Sequence, residues 1–70
     1  ALTHLDRIIE LTPNDEVAYS RRAQVQYDLG NYQAAIDDAT EFVRLSDKPY
    51  EDPDIRRAWQ LRNDASSKLP

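Results

Sequence analysis

Seventy residues can close one small domain at most, near the lower size limit for a self-sufficient core. The absence of cysteine excludes a disulfide frame and a thiolate metal site, so stability has to come from packing. The net charge of −4 is unevenly spread: residues 1–54 carry five basic against twelve acidic side chains, whereas 55–70 carry four basic against Asp64 alone. An acidic body argues against a general nucleic-acid surface, and the short basic tail reads as a solvated helix face. No apolar run approaches the roughly 18 residues of a membrane span, and no stretch has the pattern of a signal peptide. The chain begins with Ala rather than Met, which fits a segment of something longer; a cytoplasmic setting is the expectation.

Taken in order, residues 1–12 read as one amphipathic helix, with Leu2, Leu5, Ile8 and Ile9 on a single stripe. Pro13 restricts Thr12 and cannot continue the hydrogen-bond ladder, so Thr12-Pro13-Asn14-Asp15 ends it. Asn14 or Asp15 can cap a second helix over 16–29, with Asp15 and Glu16 at its positive end. Gly30 supplies the left-handed stop and Asn31 is the expected cap of a third helix over 32–46. So short a connection makes the two helices antiparallel. Their apolar faces are assigned to Tyr19, Ala23, Tyr27, Leu29, Tyr32, Ala35, Ile36, Ala39, Phe42, Val43 and Leu45. Asp37-Asp38 are read as complementing the dipole of the third helix.

An internal period supports this division. Sliding the chain by 34 positions pairs Ala1 with Ala35, Leu2 with Ile36, Ile8 with Phe42, Ile9 with Val43 and Leu11 with Leu45. The segment 16–49 resembles one complete tetratricopeptide repeat (TPR), a helical hairpin of about 34 residues. Residues 1–12 then resemble the second helix of a preceding repeat. Tyr19 stands at the family's first-helix tryptophan, Ala23 and Ala35 at its small residues, and Gly30 and Tyr32 at the turn. Departures are Arg22 in place of leucine, Tyr27 one place late, Ala39 and Phe42 in swapped sizes, and Asp47 where the closing proline is expected.

After Leu45 the register slips through Ser46-Asp47-Lys48-Pro49-Tyr50-Glu51-Asp52-Pro53. A shift of 40 restores it, pairing Ala18 with Ala58, Tyr19 with Trp59, Arg22 with Arg62 and Leu29 with Leu69. With Asp52 as cap and Pro53 at the first helical position, residues 53–69 form a capping helix or the first helix of a further repeat. Its expected buried face is Ile55, Ala58, Trp59, Ala65 and Leu69. The fold expectation is therefore all-α: about four helices with antiparallel neighbours, a TPR-like hairpin solenoid fragment. The stripe on residues 1–11 is expected to be partly uncovered, which favours self-association or a flanking segment.

Signals of catalysis are sparse. His4 is the sole histidine and Gly30 the sole glycine, so neither a histidine cluster nor a glycine-rich phosphate loop can form within the chain. Ser20, Ser46, Ser66 and Ser67 lack a local base. The carboxylates Asp47, Glu51, Asp52 and Asp54 lack the ligand alternation and turn glycine of a Ca²⁺ loop and are read as capping and solvating groups. The expectation is no enzyme, no metal and no cofactor.

A binding role is the better expectation. In TPR arrays the first helices line the ligand groove, which carries over here to Val17, Ser20, Arg21, Gln24, Tyr27 and Asp28. Arg21 can hold a carboxylate in a bidentate pair and Gln24 can bond a peptide backbone. Tyr19-Ser20-Arg21-Arg22-Ala23 also resembles a segment of chaperone-binding TPR domains, in which a carboxylate clamp grips the acidic C-terminus of heat-shock chaperones. Arg21 falls on the clamp arginine, while Val17 stands where lysine is expected. The resemblance thus implies a protein or peptide partner, with a chaperone tail as one version. Two alternatives stand beside it: a purely structural solenoid segment, and docking of an acidic partner on Arg56, Arg57 and Arg62.

Overall fold

Local bonds and backbone chemistry set most of the helix boundaries. The computed structural model describes residues 2–70, so the pairing of Ala1 with Ala35 lies outside the described residues. It contains four α-helices, α1 (Leu2–Leu11), α2 (Glu16–Asp28), α3 (Tyr32–Ser46) and α4 (Pro53–Ser67), and no strand among the described residues. Thr12 closes α1 by donating both its N–H and its Oγ1 hydroxyl to the Ile8 carbonyl, each at 2.7 Å. Asp15 then caps α2, its Oδ1 accepting from the Val17 and Ala18 amides at 3.1 and 3.4 Å. At the end of α2 the Gly30 amide donates to the Tyr27 carbonyl at 3.0 Å and the Asn31 amide to the Gln26 carbonyl at 2.8 Å. These are the two bonds of a Schellman closure, and Gly30 adopts the φ of +85° that it demands. Asp52 caps α4 through a 2.9 Å bond from the Asp54 amide, with Pro53 at the first helical position.

Two local expectations need correction. Asn31 occupies the capping position of α3, but its side chain makes no capping bond. Its Nδ2 donates instead to Gln26 Oε1 at 2.9 Å, because the turn that ties the Asn31 amide to the Gln26 carbonyl also brings their side chains together. Leu29, assigned to the apolar face, is 61% exposed, since it is the residue after α2 and points away from the hairpin. The break in the repeat register at Asp47 also acquires a reason. Asp47 ends α3 in the left-handed region with φ of 52°, which a proline ring cannot reach.

The core is built of small residues: Ala18, Ala23, Ala35, Ala39 and Ala65 are buried with Leu5, Phe42 and Ile55. Tyr19, Tyr27, Tyr32, Ile36, Val43, Leu45, Ala58, Trp59 and Leu69 are half-buried around them. Alanine at the crossings lets the helix axes approach closely, and the larger rings fill the margins. Helix α2 packs against α1, α3 and α4; α3 packs against α2 and α4; α1 touches α2 alone. On α1, Leu5 is buried, Leu2, Ile8 and Ile9 are half-buried, and Leu11 is 74% exposed.

Three helices are joined by one guanidinium. Arg22 on α2 donates from Nε to Asp38 Oδ2 at 2.9 Å and from Nη2 to Asp38 Oδ1 at 2.8 Å, a bidentate pair with α3. Its Nη1 donates to Asp6 Oδ1 of α1 at 3.0 Å, and its charge lies 5.6 Å from the centre of the Tyr19 ring. The bond to Asp38 drives the Arg22 pKa further up, outweighing the opposing effect of burial, so the group stays charged. Asp38 is 5% exposed and sits in the seventh position of α3, beyond the first turn. Its role is therefore this pair and not the helix dipole. Asp37 stays exposed and accepts from Gln33 Nε2 at 3.2 Å.

Removing one member of a buried ion pair costs about 3–5 kcal/mol, and the 22% exposure of the Arg22 side chain reduces that to about 2–3 kcal/mol here. Arg22→Leu should show this loss in urea unfolding, and Arg22→Leu/Asp38→Leu should regain more than half of it. A double variant as unstable as the single would show that the pair is not what the loss measures. Gly30→Val should lower the melting temperature through backbone strain, because an added Cβ meets nothing within 4 Å. The expected cost is about 1–2 kcal/mol, or several degrees for a domain of this size.

Candidate functional site

The exposed strip of α2 lies in a trough between α1 and α4. Val17 is 52% exposed, Arg21, Gln24 and Asp28 are exposed, and Ser20 and Tyr27 are half-buried. On the α1 side, Val17 and Arg21 border a depression of about 190 Å³ with His4, Leu5, Ile8 and Ala18. On the α4 side, Ser20, Arg21 and Gln24 face Arg57, Ala58 and Leu61 across a crevice of about 170 Å³. Buried Ala23, Ala39 and Phe42 form its floor. Further along, Gln24 and Tyr27 face Arg57, Gln60, Leu61 and Asp64 across an open groove of about 460 Å³.

Five of the six expected residues therefore border this trough, though not all on the same side. Val17 belongs to the α1 depression and Tyr27 to the α4 groove, while Arg21 reaches both sides. Asp28 borders none of these spaces; it accepts from Gln24 Nε2 at 3.1 Å and steadies that amide. Tyr27 stacks edge-on against Tyr32 at 5.5 Å with an interplanar angle of 72°, so its ring also closes the α2–α3 hairpin.

The cations of the chain have unlike surroundings. Arg22, Arg44 and Lys48 are ion-paired: Arg44 with Glu41, and Lys48 with Glu16 at 3.5 Å and Asp54 at 3.9 Å. The contact with Arg44 holds the Glu41 carboxyl below its ordinary pKa. Arg56 lies 5.9 Å from the centre of the Tyr50 ring and Arg62 4.8 Å from that of Trp59. Among the described residues, no carboxylate comes within 4.0 Å of Arg21 or Arg57. The three arginines of the last helix thus have separate surroundings, with Arg57 in the crevice.

Of the α4 wall, Gln60, Leu61 and Asp64 were not among the expected site residues, and Arg57 was expected only with Arg56 and Arg62 as an alternative docking face. A signal for this wall existed. The 40-residue shift that carries Tyr19 onto Trp59 also carries Val17, Ser20, Arg21 and Gln24 onto Arg57, Gln60, Leu61 and Asp64. The same offsets relate the linings of the two depressions: Leu5 and Ile8 beside Val17, Ala18 and Arg21 correspond to Ala39 and Phe42 beside Arg57, Ala58 and Leu61. His4, read as an edge residue, is exposed at the α1 rim near Arg21. In the acidic loop, Asp52 caps α4, Asp47 ends α3 and Asp54 faces Lys48. Among the described residues no group of three or more His, Asp or Glu side chains is placed to hold a metal ion, and no helix is long and apolar enough to cross a membrane.

Comparison with protein-family models, with curated proteins and with solved structures gave no match.

Tyr27 has a structural and a lining role that substitution can separate. Tyr27→Phe should leave the melting temperature within about 2 °C, because the edge contact with Tyr32 is ring to ring. Tyr27→Ala should lose that contact, worth about 0.5–1.5 kcal/mol beyond its buried area, and melt several degrees lower.

Proposed function

We propose that this chain is a non-catalytic, partner-binding segment of TPR type, in which the trough along α2 takes an extended peptide. One observation carries the reading: the polar strip Ser20, Arg21 and Gln24 lies open between α1 and α4, and the offsets of 34 and 40 residues relate the two walls. That recurrence is what stacked helical hairpins produce, each unit packing on its neighbours. It also fits α1 packing on α2 alone rather than sharing one common bundle core. A side-chain amide beside a guanidinium without an ion-pair partner suits backbone and carboxylate groups of a peptide. The area is small, so the affinity should be modest.

A carboxylate-terminated partner, such as the acidic tail of a cytoplasmic heat-shock chaperone, is the version that the resemblance at Tyr19–Ala23 favours. With Val17 exposed where that clamp has lysine, this chain would supply only part of a clamp. A second reading, a structural segment within a larger helical stack or a self-associating unit, is favoured by the 74% exposure of Leu11 at the end of α1.

Amide shifts should be followed while titrating an acidic peptide with a free C-terminus, beside the same peptide amidated. Changes at Ser20, Arg21 and Gln24 that need the free carboxylate support the clamp-like version; changes with both support a general peptide groove. No change with either peptide removes the binding reading and leaves the structural one. Arg21→Ala should weaken binding about tenfold while leaving the melting temperature within about 2 °C, since Arg21 has no ion pair to lose.

A further inference from the structure

We infer that Arg57 of α4 acts with Arg21 of α2 as a two-arginine seat for an extended acidic segment lying across the α2–α4 crevice. The inference rests on the peptide-groove reading and adds the second cation, the ligand class and the direction of the ligand. Both residues line the same crevice over a floor of Ala23, Ala39 and Phe42. Both are exposed, and no carboxylate lies within 4.0 Å of either, in a chain whose net charge is −4. Arg22 and Arg44 are paired with carboxylates, and Arg56 and Arg62 lie on rings. Arg7 of α1, also without an ion pair among the described residues, lines a different surface, so Arg21 and Arg57 are set apart by sharing one crevice. Two guanidiniums without a carboxylate partner, on facing helices over an apolar floor, offer charge that an incoming carboxylate can pair with.

The spacing selects the ligand. Arg21 and Arg57 stand on opposite walls of the crevice, so a ligand that meets both has to present two separated carboxylates on one face. Side chains two apart on an extended strand share a face and are about 7 Å apart. Carboxylates at alternate positions can therefore meet one arginine on each helix, while their methylene stems cover the floor. Glutamine side chains flank this seat, Gln24 on α2 and Gln60 on α4, each able to donate to and accept from the ligand backbone. Asp64 borders the groove at its Tyr27 end but not the Arg21–Arg57 crevice. The acidic part of the ligand consequently lies toward the Arg57 end, away from Asp64.

The probe is a six-residue peptide, capped at both ends, with Glu at two alternate positions; its partner has Gln at both. Binding of each is measured calorimetrically and by amide shifts on the full chain, with inorganic phosphate as a third ligand. Arg57→Gln and Arg21→Gln should each weaken the Glu peptide about fivefold to tenfold, and the double variant by less than the product of the two. Asp64→Asn should strengthen it, and raising the salt should weaken it. Arg57→Gln should not alter the weaker binding of the Gln peptide.

Equal affinity for the Glu and Gln peptides, or no effect of Arg57→Gln on the Glu peptide, overturns the two-arginine seat while leaving the groove intact. Shifts from phosphate alone that equal those of the Glu peptide overturn it in favour of simple anion attraction. Failure of both peptides to bind overturns the groove reading together with this one. Circular dichroism of Arg57→Gln separates loss of binding from loss of fold.

Discussion

The arrangement depends on where the Arg22 guanidinium goes. A carboxylate as deeply buried as Asp38 would carry a heavy desolvation cost alone, and the bidentate bond from Arg22 offsets it. Because the same guanidinium also reaches Asp6, the rotations of α1 and α3 about α2 are linked through one side chain. The apolar contacts are short-ranged and made largely by alanines, which specify closeness but little about register. An ion pair with directional bonds supplies the register that a row of methyl groups cannot.

That clamp explains why α2 can present a polar strip at all. One side of the helix is occupied by Tyr19, Arg22 and Ala23, turned toward its partners, which leaves Ser20, Arg21 and Gln24 outward. Arg21 and Arg22 are adjacent in sequence yet have opposite fates, since neighbouring residues on a helix are about 100° apart. Arg22 is bonded on two sides, whereas Arg21 stands beside the crevice with no carboxylate at hand. The proposed binding function belongs to the unsatisfied arginine, and the stability to the satisfied one.

The loop after α3 performs a related task. Lys48 lies between Glu16 and Asp54, so it draws together the starts of α2 and α4 and helps set the crevice between them. Both pairs are partly exposed and weak individually. The left-handed Asp47 turns the chain at the end of α3, and the segment that follows carries Lys48 to both carboxylates while α4 still meets α2.

The sequence by itself determined the local structure. Pro13, Asp15, Gly30, Asp52 and Pro53 act through their own backbone or through bonds two to five residues away, so helix limits were legible from them. Helical periodicity likewise puts Ala35 and Ala39, four apart on α3, on one face, and Ala23 on the apolar face of α2 with Tyr19. Tertiary structure decided what depends on partners distant in the chain. Arg22 looked like a departure from a leucine position and Asp38 like a dipole charge, because their pairing spans sixteen residues and two helices. The α4 wall of the trough was encoded in the 40-residue offset, but only the packing of α4 against α2 and α3 made Arg57 and Leu61 face Arg21. Periodicity states which face a side chain occupies; which neighbour meets that face is set by how the helices stack.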